Sequence, residues 1–232
     1  MNLKEIVTNF NISFWSIFLG MLCTFVGQGM IDRATARKEV RSALEMVRTE
    51  LTANVEDLGI MNDYIKQERK SAEYFLRHAN SLSKCPADSI EFHGSVIFSD
   101  ASIILNHNAQ DLLTMTGVFQ NLGDSPLSMK IIRAYDTCES LADLMNQHIE
   151  SRNSRFNRAL NDKLVAQFAS KGRIDIPTYL KTPYGLYTLR WLVEQHPEES
   201  FADISDIESA IEAIEDYLVP ARIKKKQQRK QH

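Results

Sequence analysis

Glycine and proline are scarce, nine and six in 232 residues. That is too few for a sheet-rich or disordered body, so helix is the default expectation. Cysteine is scarcer still. Cys23, Cys85 and Cys138 fall in separate segments without metal-ligand spacing, so neither a disulfide framework nor a metal site is expected, and free thiols agree with a reducing compartment. The motifs of common chemistries are also missing. Gly117 and Gly123 are followed by no Lys-Ser/Thr pair, and there is no H-E-x-x-H and no G-x-S-x-G. No glutamate is followed by a histidine three residues on, which excludes the di-metal carboxylate bundle. The six histidines are scattered, and one such as His148 on a long helix reads as structural or exposed. No cofactor is expected.

One long stretch lacks charge altogether. Between Glu5 and Asp32 no ionisable acid or base occurs, and Ile12–Ile31 (ISFWSIFLGMLCTFVGQGMI) is apolar enough to read as a membrane span. Roughly 20 residues at 1.5 Å each cover a hydrocarbon core about 30 Å thick, and a helix satisfies its own backbone there. Gly27 and Gly29 would also suit a signal-peptide cleavage site, but the start MNLKE lacks the positive charge such a peptide needs. Arg33, Arg37, Lys38, Arg41 and Arg48 follow the span, against Lys4 before it. The positive-inside rule then places the N-terminus outside and the body in the cytoplasm, at a bacterial inner membrane. Ser16, Gly20, Thr24 and Gln28 recur every four residues, a narrow face suited to helix association within the bilayer and so to a homo-oligomer or a membrane-complex subunit.

What remains has the size of one body. From Asp32 to about Asn80 no proline intervenes, and Val40, Leu44, Val47, Leu51, Val55, Leu58, Met61, Ile65, Ala72 and Phe75 or Leu76 form one helical stripe. Asn80–Asp88 breaks it at Pro86. Ser89–Asn106 reads mostly as short helix, with SDASIIL as a capped start, although SIEF and SVIF could be short strands around His93-Gly94, and Asn108-Ala-Gln-Asp111 has the form of a capping box. Ser125-Pro126 then opens a second long helix carrying Leu127, Ile131, Tyr135, Cys138, Leu141, Met145, Ile149, Phe156, Leu160, Leu164 and Phe168, ending at Lys171-Gly172, with Arg152 as its polar interruption. The expected fold is all-α: a membrane helix over 1–31, a long antiparallel helical hairpin or bundle over 32–172, smaller helices over 173–219, and a disordered basic tail over 220–232. The last helix, about Ala202–Leu218, has an acidic face (Asp203, Asp206, Glu208, Glu212, Glu215, Asp216) that could lie against Arg152, Arg155 and Arg158.

The positions Ala109, Leu112, Gly117, Phe119, Asp124, Leu127, Ile131 and Tyr135 behind an N-terminal anchor resemble an uncharacterised bacterial family of small membrane-anchored helical proteins, a domain of unknown function. The resemblance implies a membrane helix and a long-helix body, and brings no catalytic residues.

Net charge is −3, and the last thirteen residues carry six positive charges and no acid, which leaves −9 on the rest. Lys224, Lys225, Lys226, Arg229 and Lys230 suit the headgroups of a lipid bilayer. Nucleic acid fits less well, because the body is acidic and no aromatic side chain interleaves with these charges. The expected action is protein–protein association, as a scaffold, sensor or assembly subunit, without catalysis. Two rivals stand beside it. Arg190 and His196 have the Arg-x5-His spacing that resembles the active motif of HEPN-type ribonucleases, where imidazole moves protons and guanidinium steadies phosphate. A membrane-perturbing effector acting through its anchor is the other.

Overall fold

The computed structural model describes the backbone of residues 3–115, 122, 126–160, 162–171, 175–195, 197–201 and 203–219, and side chains only from Thr35 onward. The described residues are helical without a strand, so the chain is all-α. The first helix, α1, runs unbroken over Leu3–His78. At 1.5 Å per residue its 76 residues extend roughly 110 Å. The expected span Ile12–Ile31 lies within it, where the backbone is helical and the side chains fall outside those described. Among the described residues no helix is long and apolar enough to cross a membrane.

After a 3₁₀ turn at Leu82–Lys84 come α2 (Ala87–Phe98), an extended stretch and α3 (Asn108–Met115). The second long helix, α4, spans Pro126–Ala159 and is followed by α5 (Asp162–Lys171), α6 (Ile176–Leu180), α7 (Pro183–Glu194), α8 (Pro197–Ser200) and α9 (Ser205–Leu218). The start of α7 is set by its own residues. Thr182 Oγ1 accepts the Gly185 amide at 3.0 Å, and Pro183 supplies the first helical position.

Side-chain bonds give the direction of each segment. Tyr64 meets Val96, Asn54 meets Asn106 and Glu50 meets Ala109, so the α2–α3 segment descends along α1. Glu50 meets Tyr135, while Glu68 meets His148 and Arg152, so α4 ascends with α1. Arg155 meets Tyr187, Lys130 meets Ser209 and Arg41 meets Leu218, so α7–α9 descends again. The body is an up-down-up-down bundle whose descending segments are broken. The two long helices are therefore parallel, which corrects the expected antiparallel hairpin. An apolar stripe carries no direction, and α2–α3 has already returned the chain to the start of α1 before α4 begins.

Other expectations are corrected locally. The single helix from Pro126 to Lys171 divides at Leu160, between α4 and α5. SDASIIL does not start a helix: residues 101–107 lie outside any helix, and the alternation of buried Ile103 and Leu105 with exposed Ile104 is that of an extended chain. Nor does Asn108 cap one: it lies inside α3, and the Ala109 amide is taken by the Glu50 carboxylate from α1, at 2.9 Å. A side chain from a neighbouring helix has replaced the local cap.

Among the described residues the interior holds two apolar cores. One joins Leu44, Leu51 and Ile65 of α1 to Leu113, Ile131, Met145, Ile207 and Ile214; the other joins Ala72 and Phe75 to Ile97, Phe156, Leu164, Tyr179 and Leu189. Both α9 and α7 contribute, so the C-terminal segment shares these cores with the long helices.

Candidate functional site

Glu68 sits on the α1 stripe between Ile65 and Ala72, at the seam between the two cores, and it is fully buried. A lone carboxylate there would be costly, so it must be partnered. Arg152, equally buried on α4, donates Nη1 to Glu68 Oε1, and His148 Nε2 lies 3.0 Å from Oε2. Arg152 Nη1 also donates to Tyr64 Oη at 2.8 Å, Nη2 to the Ser99 carbonyl at 2.9 Å, and Nε to Asn153 Oδ1 at 3.1 Å. Burial disfavours the guanidinium charge, but Glu68 and Tyr64 against it outweigh that and raise its pKa. The His148 ring stacks on Trp191 of α7 with centroids 5.3 Å apart, and the Arg155 guanidinium lies over the Trp191 ring, 4.5 Å from its centroid. One polar layer thus ties α1, α4, α7 and the end of α2.

Below this layer the extended stretch lies between the two long helices. Ile103 and Leu105 are buried and Ile104 is 86% exposed, the alternation of a strand with one face covered. With no neighbouring strand among the described residues, its backbone needs other partners. Asn146 supplies both for Ile103, donating to its carbonyl and accepting its amide at 3.0 Å each. Asn54 does the same for Asn106, again at 3.0 Å each. Two side-chain amides stand in for a β-ladder, one from each long helix.

At the opposite end from the α1–α2 turn, α9 finishes against α1. Arg41 Nη2 donates to the Leu218 carbonyl at 2.8 Å, and Arg48 pairs with Glu215 at 3.4 Å. A cation at a helix C-terminus suits the macrodipole and satisfies a terminal carbonyl. The acidic face of α9 therefore meets Arg48, whereas Arg152 is committed to Glu68; the expected contact with Arg152 does not form.

No family model, curated protein or solved structure matches this chain. Function must therefore be read from its own residues. Arg190 lies exposed on α7, and His196 falls outside the described residues. Ser16, Gly20, Thr24 and Gln28 occupy one register of the α1 backbone, with side chains outside those described, and Lys224, Lys225, Lys226, Arg229 and Lys230 are likewise outside. Among the described residues no group of three or more His, Cys, Asp or Glu could hold a metal. Two shallow depressions of about 450 and 430 Å³ flank α9, and neither brings a histidine or cysteine beside its serines. The polar layer and the asparagine clamps went unread in the sequence, although Glu68, Asn54 and Arg152 all fall on core stripes, where a polar residue signals a buried partner.

Proposed function

We propose that this chain is a single-pass membrane-anchored protein of the bacterial inner membrane, with Ile12–Ile31 as its anchor, its N-terminus outside and its helical body in the cytoplasm, acting through protein–protein association. The observation that carries this reading is the continuity of α1: one helical backbone runs from the apolar segment into the centre of the bundle. Any pairing of anchors through Ser16, Gly20, Thr24 and Gln28 would be passed along the same rigid element to the body. The basic residues Arg33, Arg37, Lys38, Arg41 and Arg48 on the body side support the orientation.

Sidedness is the test. Cys138 is buried and unsuited to labelling, so the reporter is Glu56→Cys, at an exposed position of α1, in a Cys23→Ala, Cys85→Ser background. The chain should resist alkaline carbonate extraction, and an impermeant thiol reagent should modify residue 56 only after lysis. Labelling in intact cells would reverse the orientation, and release by carbonate would remove the anchor. Gly20→Leu should weaken chemical cross-linking between copies while the body keeps its helical signal.

A further inference from the structure

We propose that the exposed flank where α7 meets the end of α4 is a binding surface for single-stranded nucleic acid, with Tyr184 and Tyr187 as stacking platforms and Arg155 and Arg158 as the phosphate contacts. This goes beyond the association reading and does not depend on it.

The fold brings together groups that the chain keeps apart. Arg155 and Tyr187 are 32 residues distant in sequence, yet Arg155 Nη1 donates to Tyr187 Oη at 3.2 Å. The same guanidinium lies 5.5 Å from the Tyr187 ring centroid and 4.5 Å from that of Trp191. Tyr184, Tyr187 and Trp191 follow the i, i+3, i+7 spacing of one helix face and span about 10 Å along its axis. That length matches roughly three stacked bases at 3.4 Å each. Trp191 is held from within by His148, whereas Tyr184 and Tyr187 are 55% and 53% exposed and leave their rings open to a ligand.

Charge points to the same flank. Arg48, Arg69, Arg77 and Arg152 each face a carboxylate. Among the described residues Arg155 faces none, and its buried Nε has no hydrogen-bond partner. Arg158, one turn further along the same face of α4, is exposed. Residues 151–159 of α4 include no acid, and α7 has none before Glu194 at its far end. A phosphate reaching this flank meets a planar guanidinium already oriented by stacking, with no carboxylate to displace.

The rings select the form of the polyanion. An unpaired base offers its π-face to a tyrosine, while a duplex keeps that face inside its own stack. An acidic peptide would use the guanidinium groups and leave the rings idle.

The test is fluorescence polarisation of a labelled oligouridylate of about 12 nucleotides, titrated with the full chain in detergent. Lys224, Lys225, Lys226, Arg229 and Lys230 are replaced by glutamine throughout, so that the C-terminal run contributes nothing. Binding should persist in this background and exceed binding of a duplex of the same length. Tyr184→Ala with Tyr187→Ala should weaken it about 5- to 100-fold, and Tyr187→Phe, which keeps the ring, should retain most of it. Arg155→Gln should reduce the slope of log K against log salt by about 0.7. In a Trp15→Phe background Trp191 is the remaining tryptophan, and its emission should be quenched on binding. Thermal melts check that each variant is folded; if the tyrosine pair destabilises the body, Tyr184→Ala alone carries the comparison, because its ring is exposed. Three results overturn the inference: no binding once the C-terminal run is neutral, binding indifferent to the loss of the tyrosine rings in a folded variant, or competition by polyglutamate as strong as by unlabelled oligouridylate.

Discussion

Glu68 and Arg152, 84 residues apart in sequence, form an ion pair whose side chains are 0% and 1% exposed, at the seam between two apolar cores. Breaking such a pair strands a charge, whereas replacing both members with apolar residues removes the desolvation cost with the bond. Arg152→Met should therefore destabilise the body by about 3–5 kcal/mol, and Glu68→Leu with Arg152→Met should recover most of that loss. Urea unfolding followed by far-ultraviolet circular dichroism checks both. A double variant no more stable than the single would show that Tyr64, Ser99 and Asn153, rather than Glu68, set the cost.

The asparagine clamps make a local prediction. Asn54→Leu removes both partners of Asn106, and Asn146→Leu both partners of Ile103, each at about 1–3 kcal/mol per stranded backbone group. Hydrogen exchange should accelerate across residues 99–107 before it does in α1 or α4. Uniform acceleration would mean that the stretch opens only with the whole bundle.

Alanine at two glycines should act with opposite signs. A methyl group at Gly59 meets nothing within 4 Å, so Gly59→Ala should stabilise α1 by about 0.5–1 kcal/mol. At Gly185 the same methyl meets the Tyr179 carbonyl and, at 2.8 Å, Thr182 Oγ1, which is the cap of α7. Gly185→Ala should destabilise by about 1–3 kcal/mol. Thermal melts of the two variants give the comparison directly.

Alkaline pH should weaken the fold. Burial, with the Glu50 carboxylate behind it, pushes the Cys138 thiol from 9.0 up to about 11. Between those values the unfolded chain has released a proton that the folded chain keeps, so this contribution is whole below pH 9 and is lost as pH rises to 11. Tyr135, raised by burial and by its bond to Glu50, extends the loss above pH 10. Cys138→Ala should flatten the stability profile between pH 9 and 11 relative to the parent chain.

Arg190→Ala should change stability by less than about 0.5 kcal/mol, because the side chain is exposed. On the association reading, Arg190→Ala and His196→Ala together leave the protein's cellular role intact. RNA cleavage by the purified chain, lost in the double variant with the fold unchanged, would restore the ribonuclease reading.

The burial pattern was largely legible in the sequence. Val40, Leu44, Val47, Leu51, Leu58, Met61, Ile65, Ala72 and Phe75 are all buried on α1, as are Ile131, Tyr135, Cys138, Leu141, Met145, Ile149 and Phe156 on α4. Direction was not, since a stripe is the same read upward or downward. The extended stretch was hidden for another reason. Ser-Ala-Ile-Leu chemistry suits a short helix, and only the amides of Asn54 and Asn146, 52 and 43 residues away, make the extended form affordable. The polar layer had a signal, two opposite charges each in register with a core stripe, but Glu68 reads as solvent-facing unless it is set against Arg152.

The parallel course of α1 and α4 also imposes a timetable on synthesis. At about 5–20 residues per second, Glu68 emerges roughly 4–17 s before Arg152. Asn106 arrives sooner, 52 residues after Asn54, so the descending segment can settle on α1 while the carboxylate above it is still waiting for its cation. This order of delivery brings the first descending segment against α1, from Tyr64–Val96 down to Asn54–Asn106, before the cation that closes the seam between the cores has been made.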